Sequence, residues 1–346
     1  MTTTPDSPDP LRWLPEELEP VALRLARVDE CVFMIGVLVS DWSMEGPLDI
    51  QQVRRGDEVD IVLRGIRSIP PLVSLLFSEA INHLRAAIDN TVWYLVEREH
   101  GPLKGPRAHL VAMPILTREQ ALDDWVKKCE KAGLTVLGPN AVLGKRVRSL
   151  QSFADSATSI PSKNPLLAHL LGEEVEDAHP LLLLQAYSNA DKHRAIRVAV
   201  ARTTSSRHDE PFMAQDRSFK ELRVGDVLAR TTWGNPVMFD SSTAAVVERP
   251  EPFIAPASPV KELSHLHRYV SQVAIPILVT GLELPHSLPP SVDLGDNDRS
   301  ARERLCDGSW DDADARLAPI IAERFSEAMN RDARFPDVVD DPGESL

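Results

Sequence analysis

The sequence predicts an α+β fold with a mainly helical core, a β-hairpin near the N-terminus and a small antiparallel sheet. Three observations lead there. Residues 72–99 hold no proline or glycine and carry apolar side chains at three- and four-residue steps, the period of a half-buried helix. Residues 180–194 open with a proline and run through four consecutive leucines, which reads as a second helix, deeply buried in its first turn. Extended runs at 48–53 and 59–66 flank Arg54-Arg55-Gly56-Asp57, a turn composition, and further short extended runs follow residue 196.

The elements follow in order. Residues 1–15 are polar and proline-bearing and read as a mobile arm. Residues 17–42 place Leu25, Val28, Cys31, Ile35 and Leu38 at helical steps. The hairpin comes next and is stopped by Ile69-Pro70-Pro71, and the long helix 72–99 ends before Gly101-Pro102. Residues 110–115 read as a short extended piece. Residues 117–132 read as a helix opened by Thr117-x-x-Gln120, a capping-box pattern. A loop-like stretch, 133–143, and a short helix, 165–171, precede the helix 180–194. Runs 196–201, 219–223, 227–232 and 244–247 read as one antiparallel sheet, and 260–284 returns to helix with a bend at Pro276. The expected organisation is a single mixed domain over 16–284 and an extension, 285–346, partly helical through 311–329 and then disordered.

At 346 residues the chain has room for about two domains. Acids outnumber bases 52 to 38, for a net charge of −14. That composition excludes general DNA binding, which needs broad basic surface to displace counterions, though it leaves room for a small local RNA site. The extension carries 15 Asp or Glu against 7 Arg, so it supplies −8 of the −14. Cys31, Cys129 and Cys306 are scattered, with no CxxC pair, which speaks against a disulfide framework or a zinc site built on them. The N-terminus lacks the charged start and apolar core of a signal peptide. The apolar run 273–284 is 12 residues long and carries Pro276 and Glu283, short of the roughly 20 apolar residues of a membrane span. A cytoplasmic protein without membrane contact is expected.

A polar constellation stands out. At about 100° per residue, Ser78, Asn82, Arg85 and Asp89 form one narrow strip of the long helix, with Ile81, Ile88, Val92 and Trp93 on its flanks. Glu79, His83, Asn90 and Glu97 fall on another sector, expected to face solvent. On the helix 180–194, Gln185, Asn189, Lys192 and His193 share a second strip with Leu182 and Ile196. Unpaired buried polar groups cost about 1–3 kcal/mol each, so the two strips are expected to meet and satisfy one another. Arg85 and Asp89 then read either as a structural i,i+4 pair or as part of a functional site.

Other motifs say less. Glu262-x-x-His265, with His267 nearby, is half of a helical carboxylate–histidine metal motif whose second copy is missing, so no metal is expected. Glycines are too sparse for a phosphate-binding or dinucleotide loop, and no Gly-x-Ser-x-Gly elbow occurs. No cofactor is expected. The basic stretch Lys145-Arg146-Val147-Arg148 is small and reads as a solvated loop.

The segment 77–95, FSEAINHLRAAIDNTVWYL, resembles a helix reading roughly HNLRSALDHLVW in an uncharacterised group of bacterial proteins. The same group carries an asparagine followed by D-K-H-R, which stands here as Asn189 and Asp191-Lys192-His193-Arg194. Lesser matches are Ala112-Met113-Pro114-Ile115 and the segment 149–153. The first helix is also similar to the arginine–histidine motif of HEPN-type helical domains, many of which are metal-independent ribonucleases. In that motif a histidine follows the arginine after four to six residues; here Asn90 stands at that place after Arg85, and asparagine cannot take a proton.

Three functions are compatible with these residues. The HEPN-like resemblance implies a metal-independent endoribonuclease, a toxin or phage-defence effector. In it His193 would take the proton of an RNA 2′-hydroxyl, Arg85 and Lys192 would stabilise the phosphate charge, and Asp89 or Asn189 would orient the base, with Asn82 alongside. The second is a non-catalytic scaffold, a homo-oligomer. The third is a small-ligand sensor using the same polar pocket around Arg85.

Overall fold

The computed structural model describes residues 9–171, 174–193, 196, 198–207, 220–234, 239–285, 287–329 and 338–340. The chain is mixed α and β with a mainly helical core, as the sequence predicts. Helix α1, Glu19–Met44, starts with Pro20 in its first turn and buries Val21, Leu25, Val28, Val32 and Ile35. Strands β1, Leu48–Arg55, and β2, Glu58–Ile66, pair antiparallel around Gly56, whose φ of 61° suits a residue without Cβ. Helix α2, Pro71–His100, has Pro71 in its first turn and ends at Gly101 with φ 87°. Its Ile81, Leu84, Ile88 and Val92 are fully buried, each stabilising the fold by about 1.5–3 kcal/mol.

Helices α3, Glu119–Lys131, α4, Val142–Ser149, and α5, Pro165–Leu171, follow, with the short strand β3, Ile160–Pro161, between α4 and α5. Strand β4, Asp177–Ala178, pairs with β3 and leads into α6, Pro180–His193. Strands β5, Val198–Arg207, β6, Lys220–Glu221, β7, Val227–Thr232, β8, Phe239–Glu248, and β9, Pro256–Ala257, come next. Helix α7, Pro259–Tyr269, passes through a π-helical turn, Val270–Ala274, into α8, Ile275–Thr280. The extension holds α9, Ala301–Cys306, α10, Ala313–Met329, and β10, Val338–Asp340. Helix α2 lies between α1 and α6, and the ring of Phe77 meets Tyr187 edge-on at 5.1 Å between centroids. No helix among the described residues is long and apolar enough to cross a membrane.

Several sequence expectations are corrected. Residues 9–15 are docked, not a mobile arm: Leu11 and Leu14 are buried, and Arg302 donates to both their carbonyls at 2.8 Å. Residues 1–8 lie outside the described residues. Residues 227–232 do not join the later sheet. They pair with β2, in a sheet ordered β10-β1-β2-β7, while β6-β5-β8-β9 form the other. Burial decides this pairing: Leu222 and Leu228 pack on Ile61 and Leu63, and Arg230 donates to the buried Asp60 at 2.6 Å. Residues 110–115 are not extended; a 3-10 turn, Gly105–Leu110, runs into irregular chain. Thr117 caps nothing, because α3 starts after Arg118 and Gln120 bonds Asp124 at 3.1 Å. The loop-like stretch 133–143 holds a 3-10 turn, Thr135–Leu137, and the start of α4. The basic stretch lies on α4 and has structural partners. Arg146 donates to the carbonyls of Leu278 and Val279 at 2.9 Å, satisfying the end of α8, and Arg148 pairs with Glu119 and Asp123.

The extension packs onto the body. Leu288, Leu305, Ala313 and Leu317 are buried. Leu317 sits against Gly36 of α1, where any Cβ would collide with it, so glycine permits the close approach of α10. Arg324 pairs with Asp41 at 3.0 Å. Residues 338–340 add a parallel edge strand to β1; the chain beyond them lies outside the described residues, and with it the expectation of terminal disorder.

Candidate functional site

The two predicted polar strips meet. Arg85 of α2 donates from Nε to Asp89 at 3.0 Å, from one terminal nitrogen to Gln185 of α6 at 3.1 Å, and from the other to the carbonyl of Met113 at 2.8 Å. Asp89 accepts the Met113 N–H at 2.9 Å. Gln185 donates to Asn189 at 2.7 Å, and Asn82 donates to Asp191 at 2.9 Å. Arg85, Asp89, Asn82 and Asn189 thus share one band between α2 and α6. Lys192 is exposed at the end of that helix. His193 is the last residue of α6, and its side chain lies outside the described residues, as does Arg194.

What the band does is visible in its bonds. Arg85 and Asp89 together hold the backbone C=O and N–H of Met113. Gln151 holds the next stretch, donating to the Pro114 carbonyl at 2.9 Å and accepting the Leu116 N–H at 3.1 Å. The irregular 111–116 segment, which pairs with no strand, is fixed to the helices this way. Arg85→Ala is expected to cost about 1–3 kcal/mol, because Asp89 and the Met113 carbonyl lose their donor. Urea unfolding measures it; a variant as stable as the parent would mean the band holds nothing.

The sector expected to face solvent is partly an interface instead. Glu79 takes the guanidinium of Arg27 at 2.7 and 3.2 Å, and His83 meets Arg24 of α1 at 3.2 Å. The Arg27 bond holds Glu79 below the usual carboxylate range, while burial pushes His83 below its ordinary value. Asn90 is exposed, as expected.

The half metal motif also has another role. Glu262 is buried and accepts two bonds from Arg249, at 2.8 and 2.9 Å, and one from Tyr187 at 2.9 Å. Among the described residues no group of three or more His, Cys, Asp or Glu could hold a metal ion.

A second site was not foreseen. A cavity of about 250 Å³ opens where α1, α7 and the π-helical turn face the extension. Asp29, Ser264, His267 and Arg268 line it from the body, and Trp310 and Asp312 from the extension. His267 is 6% exposed, and its Nε2 has no hydrogen-bond partner among the described residues. Burial lowers the His267 pKa to about 4, so the ring stays neutral.

The carboxylates around it are differently placed. Asp29 is 2% exposed, accepts the Ala313 N–H at 2.7 Å and pairs with Arg316; burial still raises it to about 6. Burial would raise Asp312 as well, but the Ala315 N–H and Arg268, at 3.2 Å, outweigh it and hold Asp312 below the usual range. The signal that could have found this wall is the polar series Ser264, His267, Arg268 and Ser271, at helical steps beside the apolar Leu263, Leu266 and Val270. It was hidden because the opposite wall stands far away in the sequence. Comparisons of the chain with protein-family models, with curated proteins and with solved structures find no match.

Proposed function

We propose that the chain is a small-ligand sensor, a binding protein whose cavity between the body and the extension takes a small organic molecule. The observation that carries this reading is the cavity itself, walled by Asp29, Ser264, His267 and Arg268 of the body and by Trp310 and Asp312 of the extension. Because the walls come from both body and extension, an occupant would touch both and favour the docked extension. The test is a thermal-shift screen of the full chain against neutral, cationic and anionic metabolites. At least one compound should raise the melting temperature by a few degrees, and Ser264→Leu, which fills the cavity, should abolish the shift. A screen in which no class of compound stabilises the protein overturns the reading.

A metal-independent ribonuclease is the second reading. It is favoured by the convergence of Arg85, Asp89, Asn82 and Asn189 on one band, with His193 ending the same helix as Asn189. Against it, each guanidinium nitrogen of Arg85 already serves a protein acceptor. Incubation with total RNA beside Arg85→Ala and His193→Ala decides it: cleavage lost in a folded His193→Ala supports catalysis, and no cleavage by the parent protein ends this reading.

A further inference from the structure

We propose that residues 287–329 form a strap that opens and closes as one unit against a body that stays folded, released as salt screens the ion pairs that hold it. Opening needs no occupant in the cavity. The strap holds its own shape. Ser291 and Ser309 form a backbone bridge, with N–H to carbonyl distances of 2.8 and 3.4 Å. Inside that loop Arg304 donates to the carbonyl of Asp293 at 2.9 Å, and Arg299 pairs with Asp307. Ser300 and Glu303 cap α9 reciprocally. Helix α10 adds 17 residues with backbone bonding of their own. None of these bonds involves the body.

Its grip on the body is mostly ionic. Arg302, Arg316 and Arg324 of the strap take Glu19, Asp29 and Asp41, spaced along α1. Asp312 and Asp314 take Arg268 and Lys261 of α7. All five cations are at least 26% exposed at the side chain, so salt reaches every pair. Apolar anchorage is thin. Among the described residues the strap's large buried aliphatic side chains are Leu288, Leu305 and Leu317, whereas α2 alone buries Leu76, Ile81, Leu84, Ile88 and Leu95. The cavity leaves part of the joint unfilled, so its lining atoms forgo dispersion contacts. Pro319 interrupts the bonding of α10 from within. These are the marks of a low-stability unit beside a stable core. Arg302 is the clasp, because its three nitrogens hold Glu19 at 2.7 Å and the carbonyls of Leu11 and Leu14 at 2.8 Å. Opening uncovers Glu19, Asp29 and Asp41 along α1 and dissolves the cavity, whose walls come from both sides.

Hydrogen exchange of the full chain, read by mass spectrometry, tests this. Raising salt from about 0.1 to about 1 M cuts the Debye length from about 10 to about 3 Å, and peptides of 300–329 should then exchange at least about tenfold faster. Peptides of α2 and α6 should change by less than about twofold. Arg302→Gln removes the clasp and should produce the same pattern at about 0.1 M salt. Strap exchange that ignores salt, or that accelerates by the same factor as α2, overturns the proposal. So does an Arg302→Gln chain that exchanges like the parent or does not fold. Failure here leaves the thermal-shift screen of the cavity untouched, and a screen without hits leaves the strap standing.

Discussion

Arg249→Met is expected to lower the unfolding free energy by about 3–5 kcal/mol. The Arg249 side chain is completely buried, and it binds more of the fold together than any local motif suggests. It grips both oxygens of Glu262 on α7 and donates to the carbonyls of Glu176, at 3.0 Å, and Ile160, at 3.1 Å. Glu176 in turn accepts the N–H groups of Ile254 and Ala255, at 3.0 and 3.2 Å. Removing the cation leaves a buried carboxylate without its partner and two carbonyls without their donor. Urea denaturation reads the loss. The double variant Arg249→Met with Glu262→Met should recover part of it, since no orphan charge then remains. A single variant within about 1 kcal/mol of the parent would show that the pair is replaceable by solvent.

Acid titration should reveal a hidden exchange between Asp29 and His267. Burial raises Asp29 from 3.8 to about 6, so its contribution favours folding below about pH 4 and is lost as pH rises through about 6. Burial lowers His267 from 6.5 to about 4, so its contribution is complete above about pH 6.5 and is lost as pH falls through about 4. Between these limits the folded chain keeps a proton on Asp29, and the unfolded chain keeps one on the histidine. The counts match, and the pair adds little slope. Each single variant exposes the other group. Asp29→Asn should make stability rise by about 3 kcal/mol, relative to the parent, between pH 4 and 6.5. His267→Phe should make it fall by a similar amount. Asp312, Arg268 and Arg316 face the pair in all three proteins: Asp312 raises both pKa values, Arg316 lowers that of Asp29 and Arg268 that of His267. Parallel profiles for the three would refute the exchange.

Local periodicity carried much of this fold into view. Helices α1 and α2 and the β1–β2 hairpin are legible because each repeats its own period for many residues and stops near Gly or Pro, and α6 because Pro180 opens a run of leucines. The meeting of Arg85 with Gln185 is legible for another reason: two narrow polar strips inside apolar helices have few ways to be satisfied. Strand partnership was not legible. The run 227–232 alternates equally well for either sheet, and its partner is selected by Ile61, Leu63 and Asp60, far upstream, which take Leu228 and Arg230. Leu11 and Leu14 looked isolated among prolines because the arginine that holds their carbonyls, Arg302, comes 288 residues or more later. The cavity was invisible for the same reason, since Asp29 and Trp310 become neighbours only after the extension docks.

The π-helical turn Val270–Ala274 carries a consequence for how this protein can change over generations. Its carbonyls at Ser271 and Gln272 accept from the Ser287 hydroxyl and the Leu284 N–H, so the wide turn is held by the chain that follows it. A π turn amounts to one residue more than an α turn needs. A π turn takes up its extra residue within about one turn, so loss of a single codon there would restore α geometry and leave His267 facing nearly the same way relative to α8. One codon can therefore be lost or gained at this turn while the cavity wall keeps its facing.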